Sequence, residues 1–361
     1  MKFQKQVVGV DISKGTFDVK FLALPTDSER FKIRGSRKFS NSPKGFTAFC
    51  SWIDKKAEAG REVIIAMEAT GVYHEPLAYF MFERAYRVTI LLPNRVKAFA
   101  RSHNQFSKTD EIDALVIARM AMERALSFWK PANKSTRQLR HLGRERQSLM
   151  RDRLRHRNQI HALENSHDKW ARSIRRHRVA INLIDRQVRA IEEEVKALRK
   201  QDDQLNQALG ILESIPQVGL VTAATVLAET SNFELFDSRS QVIKYAGMDI
   251  IERQSGSSIN GKARLSKRGN SYLRGALHMP AIGLLNRPGP FQEAYLRVLQ
   301  RTNCKMKAVV AVQRKLLVIM YALTKSGKPY SRSIHEQRTK SKIDEPDGSP
   351  TVTQSAVASR S

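Results

Sequence analysis

The sequence predicts an α/β amino-terminal domain, a long helical middle and a mainly helical carboxy-terminal domain. Strand and helix patterns alternate over residues 1–128, a run almost without glycine or proline follows, and mixed, mostly helical patterns complete the chain. The 361 residues suffice for two or three domains. Hydrophobic residues make up 41% and charged residues 27%, a balance typical of globular proteins.

The first domain has the predicted order βββαβαβα. The run EVIIAM is continuously apolar, which indicates a buried strand. The last helix is expected to begin at Thr109, with Asp110 and Glu111 in its first turn, where the helix dipole favours acids. The predicted strands are 6–11, 16–23, 35–39, 62–67 and 87–92, and the predicted helices are 43–57, 73–85 and 109–126.

The middle region, 129–213, is predicted to be basic and helical. Its second half repeats apolar residues at alternating spacings of three and four, which favours a coiled coil. The alternative is a helix packed on its own domain. The register comprises Ile181, Ile184, Val188, Ile191, Val195, Leu198, Asp202, Leu205, Leu209 and Leu212.

The third region, 214–330, is predicted to be mainly helical. The segment 211–229 resembles a helix-hairpin-helix, whose turn amides could bind a phosphate, although any helical hairpin could have this pattern. A polar tail, 331–361, is expected to be disordered. The further predicted helices are 238–246, 270–285, 289–302 and 305–325.

The charge indicates a polyanionic partner. The chain has 63 Lys and Arg against 35 Asp and Glu, a formal net charge of +28 and a pI of about 10.4. Residues 119–200 alone carry a net charge of +13. No apolar run is long enough to span a bilayer and no signal peptide is recognisable, so a cytoplasmic, nucleoid-associated location is expected. Cys50 and Cys304 are too few for a disulfide scaffold.

Four carboxylates occupy positions suited to a metal site. Asp11 and Glu68 end predicted strands, and Asp110 and Asp113 lie one helical turn apart on one face. Such anions repel one another unless a divalent cation lies among them, and the chemistry they suit is two-metal phosphoryl transfer. Each acid alone could simply terminate an element. The combination resembles the RNase H/RuvC-like nuclease fold, and Glu111 is expected to point away from it.

A second candidate site lies in the segment 252–270, which is rich in glycine, serine and cations. It nearly matches a P-loop but lacks the serine or threonine that would hold magnesium, which excludes nucleotide hydrolysis. The segment is either a phosphate-gripping loop or a loop that presents a serine nucleophile. The residues alone favour the first, because no histidine lies nearby as a base. The cations that would neutralise a phosphate are Lys262, Arg264, Lys267 and Arg268.

Several motifs in order resemble the DEDD transposases of the insertion-sequence 110 family. They are VVGVDISKGTFDV, AMEATGVYHEPLA, SKTDEIDA, LESIPQVG, YAGM and QSGSSINGKARLSKRGN, within about residues 5–330. The resemblance implies a RuvC-like domain and a separate transposase domain joined by a coiled coil. It also implies DNA recombination guided by a structured bridge RNA, in tetramers built from two dimers.

The resemblance also implies roles for individual residues. The metal-binding acids match Asp11, Glu68, Asp110 and Asp113, with Mg²⁺ or Mn²⁺ as the ion. The first serine of the S-G-S-S motif is Ser255, which would attack DNA and form a transient 5′-phosphoserine link. One departure is the segment 246–250, Ala-Gly-Met-Asp-Ile, where the family commonly has Ala-Gly-Leu-x-Pro.

Three functions follow as hypotheses. The first is a DNA recombinase that uses the acids and Ser255 on donor and target DNA with a structured RNA. The second is a RuvC-like junction nuclease that hydrolyses DNA with metal and water, without a covalent intermediate. The third is a non-enzymatic nucleic-acid-binding scaffold, which does not explain why four acids occupy strand and helix ends.

Overall fold

The computed structural model divides into two compact units, residues 1–131 and 132–361. The side chains at residues 3, 110, 252–255 and 259–263 lie outside the described part. The backbone is described for residues 3–69, 71–103, 110–234, 236–255 and 259–332.

The first unit contains a five-stranded sheet of order β3-β2-β1-β4-β5. The first three strands pair antiparallel, while β1 with β4 and β4 with β5 pair parallel. The strands are β1 (Phe3–Ile12), β2 (Thr16–Pro25), β3 (Lys32–Ser40), β4 (Val63–Glu68) and β5 (Arg87–Leu91). The helices are α1 (Pro43–Asp54), α2 (Glu75–Glu83), α3 (Pro93–Ser102) and α4 (Asp110–Glu123).

The sheet is covered on both faces, as expected when parallel strands are connected by helices. Val8, Val10 and other alternate strand residues pack with the aromatic residues of α1 on one face. Val7 and Ala66 pack with α3 and α4 on the other face. This mixed α/β unit is consistent with the RNase H-like fold that the sequence predicts.

Gly9 lets helix α4 lie directly on the central strand. A Cβ atom at Gly9 would collide with the backbone of Ala114 and Ala118 and lie 2.7 Å from the Ala118 Cβ. Lys5, on the same face of β1, donates hydrogen bonds of 2.6 and 2.9 Å to the carbonyls of Ala121 and Met122, near the carboxyl end of α4. The helix therefore runs antiparallel to β1, with its amino-terminal turn toward the carboxyl end of the strand.

The predicted strands of this unit are all present, but helix α3 was not predicted. Pro93 directly follows the predicted strand 87–92 and occupies the first turn of α3. Proline is well suited to that position, because its fixed φ fits a helix and its missing N–H would have no partner there. The predicted start of α4 at Thr109 lies outside the described residues.

The second unit is mainly helical and contains one described β-hairpin. Helices α5 and α6 form an antiparallel pair, joined by ion pairs such as Arg146–Glu192 and Arg178–Glu164. The helices are α5 (Lys134–Glu164), α6 (Ala171–Gln201), α7 (Asp203–Glu213), α8 (Leu220–Thr230), α9 (Arg239–Ala246), α10 (Ser271–Ala276), α11 (His278–Gly283), α12 (Pro290–Thr302) and α13 (Lys305–Ser326). A 3₁₀ turn covers Leu284–Asn286, and the hairpin strands are β6 (Ile250–Ser255) and β7 (Ile259–Leu265).

The coiled coil is not confirmed, because the apolar seam of α6 is filled by the same chain. Ile191 and Val195 are buried in one core with Leu139 and Leu142 of α5. The continuous register is also wrong at Asp202, which has extended backbone and caps α7 by accepting a hydrogen bond from the Leu205 amide. Within one chain, the heptad pattern thus reflects packing of a helix on its own domain.

The predicted helices after residue 230 are confirmed, with 270–285 divided into α10, α11 and the 3₁₀ turn. The helix-hairpin-helix-like segment is α7, a turn at 214–219 and α8, with Gln217 in the left-handed region at φ +65°. The tail predicted to be disordered lies, from residue 333, outside the described part. Among the described helices, none is long and apolar enough to cross a membrane.

Replacing Gly9 by alanine should destabilise the first unit. The added methyl group meets helix backbone that cannot rotate away, so a loss of about 1–3 kcal/mol or more is expected for such overpacking. Urea unfolding followed by circular dichroism measures it. Gly15→Ala is the matched control, because no atom lies within 4 Å of a Cβ there. Equal unfolding midpoints for the two variants would contradict the close packing of α4.

Candidate active site

Asp11 and Glu68 lie side by side at the carboxyl ends of two neighbouring parallel strands. The last register pair between β1 and β4 is Val10 with Met67, so the two acids are the next residues along. Side chains alternate along a strand, which places Asp11 on the face of Gly9 and Glu68 on the face of Ala66. Gly9 and Ala66 both pack against α4, so the two acids lie on the same face of the sheet. Both acids are half-buried.

Helix α4 supplies the other two predicted acids to this face. Asp113 is half-buried and directly precedes Ala114, whose backbone contacts Gly9. Asp110 begins α4, one turn earlier, but its side chain lies outside the described part. Glu111 points elsewhere, as predicted: it accepts a 3.2 Å hydrogen bond from the Ser36 hydroxyl and lies 3.8 Å from the Lys20 ammonium.

Sequence reasoning missed a fifth acid on the same face. Asp18 of β2 is directly opposite Asp11 in the antiparallel register, and it is buried. Lys38, its partner across β2 and β3, holds it in a 3.1 Å ion pair. The short hairpin at 13–15 could have revealed this pairing, because it fixes the register of the two strands.

The donor chemistry of this face fits a hard divalent cation. Carboxylate oxygens are the ligands that Mg²⁺ prefers, and those of Asp11, Glu68 and Asp113 come from three elements that meet at one end of the sheet. Among the described side chains, no three His, Cys, Asp or Glu residues already form a group that could hold a metal ion. The set predicted from the sequence also includes Asp110, whose side chain lies outside the described part.

The predicted serine loop is a β-hairpin in the second unit. Ser255 is the last residue of β6 and pairs in register with Ile259, so it lies at the tip end of the hairpin. Its side chain and that of Lys262 lie outside the described part. Arg264, Lys267 and Arg268 are described and exposed, near the base of the hairpin.

Two glycines allow the chain segments at the base of the hairpin to pack backbone on backbone. Gly247 has φ +65°, and a Cβ there would lie 2.8 Å from the Gly269 nitrogen. A Cβ at Gly269 would collide with Tyr245 and Gly247. The Lys267 amide donates to the Gly247 carbonyl at 3.1 Å, and the Asn270 amide donates to the Tyr245 carbonyl at 2.8 Å.

A buried carboxylate lies beneath this base, and sequence reasoning missed it. The Glu229 side chain is 2% exposed and accepts two hydrogen bonds from Arg144, at 2.7 and 2.9 Å. It also accepts a 2.6 Å hydrogen bond from the Asn270 amide group. These bonds to Glu229 raise the pKa of the Arg144 guanidinium. A lone acid in the apolar helix LVTAATVLAET is the signal that could have revealed it.

The backbone after α8 is also unusual. Ser231, Asn232 and Phe233 all have positive φ, between 49° and 59°, and Phe233 is fully buried. Arg140 closes this end of α8, donating to the Ala228 carbonyl at 2.7 and 2.9 Å and to the Ser231 hydroxyl at 2.8 Å. Consecutive left-handed residues are costly, so the surrounding contacts must hold them in place.

A mixed α/β unit consistent with an RNase H-like fold, with acids at adjoining strand ends, and a strongly basic helical unit are together typical of nucleic-acid-processing proteins. Comparison with protein families specifies the class. A family model described as Transposase, of the DEDD insertion-sequence 110 type, matches residues 8–165. A model described as Transposase IS116/IS110/IS902 family matches residues 209–296.

Similar curated proteins agree with these matches. The pilin gene-inverting protein of Moraxella bovis is 29% identical over 334 residues, 92% of this chain and 99% of that protein. The transposase for element IS1111A of Coxiella burnetii is 24% identical, covering 74% of this chain and 79% of that protein. The transposase for element IS1328 of Yersinia enterocolitica is 26% identical, covering 74% and 86%. The chain belongs to the insertion-sequence 110 family of transposases, which makes it a DNA transposase or recombinase.

Replacing Arg144 by methionine should destabilise the second unit, because the buried Glu229 carboxylate loses its counter-charge. Breaking a buried pair costs about 3–5 kcal/mol, and the lower end is expected because Arg144 is 46% exposed. Chemical denaturation measures the loss. Arg178→Met is the control: its pair with Glu164 is exposed and worth at most about 1 kcal/mol. Equal losses would show that Glu229 is not the buried anchor.

Proposed function

We propose that this transposase exchanges DNA strands with a Mg²⁺-binding acidic site in its first unit and a nucleophilic Ser255 in its second. The placement of Asp11 and Glu68 at adjoining strand ends, beneath the first turn of α4, carries the proposal. The helix dipole accounts for acids at the start of α4, but it does not account for the acids that end both neighbouring strands on the same face. A non-enzymatic scaffold would leave this gathering unexplained.

The ligands of the metal would be Asp11, Glu68, Asp110 and Asp113. Mg²⁺ or Mn²⁺ bound there supplies stabilisation of the charge that develops on the phosphate oxygens. The chain's own task is to hold the carboxylates close together in their ionised form. Lys38 supports this by pairing with Asp18, so that Asp18 does not face Asp11 as an uncompensated like charge.

The serine step is a phosphoryl transfer. The Ser255 oxygen attacks a DNA phosphorus, an O–P bond forms, and the bond from phosphorus to the 3′-oxygen of the neighbouring nucleotide breaks. The serine proton passes to a base and the departing 3′-oxygen takes up a proton, so no net proton is consumed. Attack by another strand's 3′-hydroxyl on the 5′-phosphoserine link reverses the step, joins the new strands and releases the serine.

The basic helices α5 and α6 suit the backbone of nucleic acids. Residues 119–200 carry a net charge of +13, and contacts with phosphates dominate such binding. We infer that they hold DNA and a structured bridge RNA that selects donor and target. The tetramer implied by the resemblance uses surfaces other than the seam of α6, because Ile191 and Val195 are already buried in their own chain.

The relatives support strand exchange rather than simple hydrolysis. The Moraxella protein is named for inverting a gene, and the Coxiella and Yersinia proteins are named as transposases. Inversion and transposition both require that broken strands are joined again. A covalent protein–DNA link conserves the energy of the phosphodiester bond for this joining, whereas a hydrolytic junction nuclease would lose it.

Removing one ligand charge at a time should abolish strand exchange without unfolding the protein. Asp11→Asn, Glu68→Gln and Asp113→Asn each keep the side-chain volume, and a loss of at least about 10²-fold in rate is expected for a lost active-site electrostatic contact. Glu111→Gln is the control, since its carboxylate points to Lys20 and Ser36. A Mg²⁺-dependent recombination assay on the element's own DNA measures the rates. Near-normal exchange by the three variants would refute the acidic site.

Ser255→Ala should prevent formation of a covalent DNA adduct while DNA binding persists. The exposed Arg264, Lys267 and Arg268 still contact phosphate, so binding should change less than about threefold. Denaturing gel electrophoresis of end-labelled DNA, with and without the element's RNA, measures the adduct. Ser257→Ala is the control in the same motif. Hydrolysed DNA at the normal rate from Ser255→Ala would favour the metal nuclease, and an adduct independent of RNA would contradict guidance.

A further inference from the structure

We propose that Glu229 and Asn270 are positioning residues that fix the base of the β6–β7 hairpin and thereby aim Ser255. The inference rests on the proposed role of Ser255. It concerns residues outside the S-G-S-S motif and outside the acidic site. The contacts that carry it all lie within the second unit.

The hairpin acts as a lever, so its base controls where Ser255 lies. Ser255 is five residues beyond Ile250, which is about 17 Å at about 3.3 Å per residue. A rotation of about 10° at the base would therefore move the serine by about 3 Å. Because a misplacement of about 1 Å can cost about 10²-fold in rate, the base must be held rigidly.

Glu229 joins the chain before the hairpin to the chain after it. Its backbone carbonyl accepts a 2.9 Å hydrogen bond from the Tyr245 hydroxyl, and Tyr245 lies five residues before β6. Its carboxylate accepts the 2.6 Å hydrogen bond from Asn270, which lies five residues after β7. The Asn270 amide group also donates to the Tyr245 hydroxyl at 3.3 Å. The two ends of the hairpin are thus held by one residue of α8.

Burial makes this anchor strong and specific. The Glu229 carboxylate is desolvated, and Arg144 of α5 fixes its orientation with two hydrogen bonds. Charge-assisted hydrogen bonds of this kind are about twice as strong as neutral ones. Asn270 has a second task, since its side-chain oxygen accepts a 3.0 Å hydrogen bond from the Leu273 amide and caps α10. One side chain therefore couples the buried carboxylate, the end of the hairpin and the next helix.

Asn270→Ser separates these tasks. Serine can still cap the helix, but it lacks the side-chain amide that donates hydrogen bonds to Glu229 and Tyr245. We expect the exchange rates of the Ser266 and Lys267 amides, which bond to Asp249 and Gly247, to rise at least tenfold, while that of the Leu273 amide changes less than threefold. Amide hydrogen exchange of the full chain without DNA measures this. Asn133→Ser, at the equivalent cap of α5, is the matched control and should leave residues 266 and 267 unchanged.

The catalytic readout is the rate of adduct formation at saturating DNA. Asn270→Ser should lower this rate at least tenfold with DNA affinity changed less than twofold, and Tyr245→Phe should lower it in the same direction. If Asn270→Ser fails to fold, Tyr245→Phe provides the same test. Unchanged exchange at residues 266 and 267, or faster exchange with a normal adduct rate, would overturn the inference. Absence of an adduct in the wild type would contradict the proposed function of Ser255. In that case the amide exchange rates at residues 266 and 267 alone would show whether Glu229 and Asn270 anchor the base of the hairpin.

Discussion

The contact between Gly9 and helix α4 is the constraint on which the first unit depends. Only a residue without a side chain allows a helix backbone to lie directly on the central strand. Lys5 fixes the far end of the same helix through two carbonyls, so both the distance and the direction of α4 are determined. Its first turn is thereby brought to the strand ends that carry Asp11 and Glu68.

The second unit solves a related problem by a different device. The two-stranded hairpin β6–β7 would be marginally stable by itself, so its base needs support from the rest of the unit. Close backbone packing at Gly247 and Gly269 and the buried Glu229 carboxylate hold its base. Both candidate sites thus place polar groups at the ends of elements and use small residues to bring backbone together. Both proposed sites therefore depend on where the elements end as well as on which residues they carry.

Local sequence patterns predicted much of this architecture, but they could not predict contacts between residues that are distant in the sequence. Apolar runs and alternating patterns predicted strands β1 to β5, and the ends of two of these strands identified Asp11 and Glu68 as candidate ligands. Heptad spacing could not tell which partner fills the seam of α6, since packing against α5 in the same chain produces the same pattern as a dimer. Glu229 and Asn270 are distant in sequence, so no local pattern could join them. The composition around Ser255, rich in glycine and serine, predicted a loop and did not indicate the hairpin strands β6 and β7.

The central claim is that strand-end and helix-start acids form one metal site, and a double-mutant cycle on metal binding tests it most directly. Calorimetric titration of Mn²⁺ into the full chain would compare wild type, Asp11→Asn, Asp113→Asn and the double variant. Residues that share one ion are strongly non-additive. We predict that each single variant weakens binding at least tenfold and that the double variant loses little more. Wild-type affinity in both single variants, or strictly additive losses, would contradict a shared site.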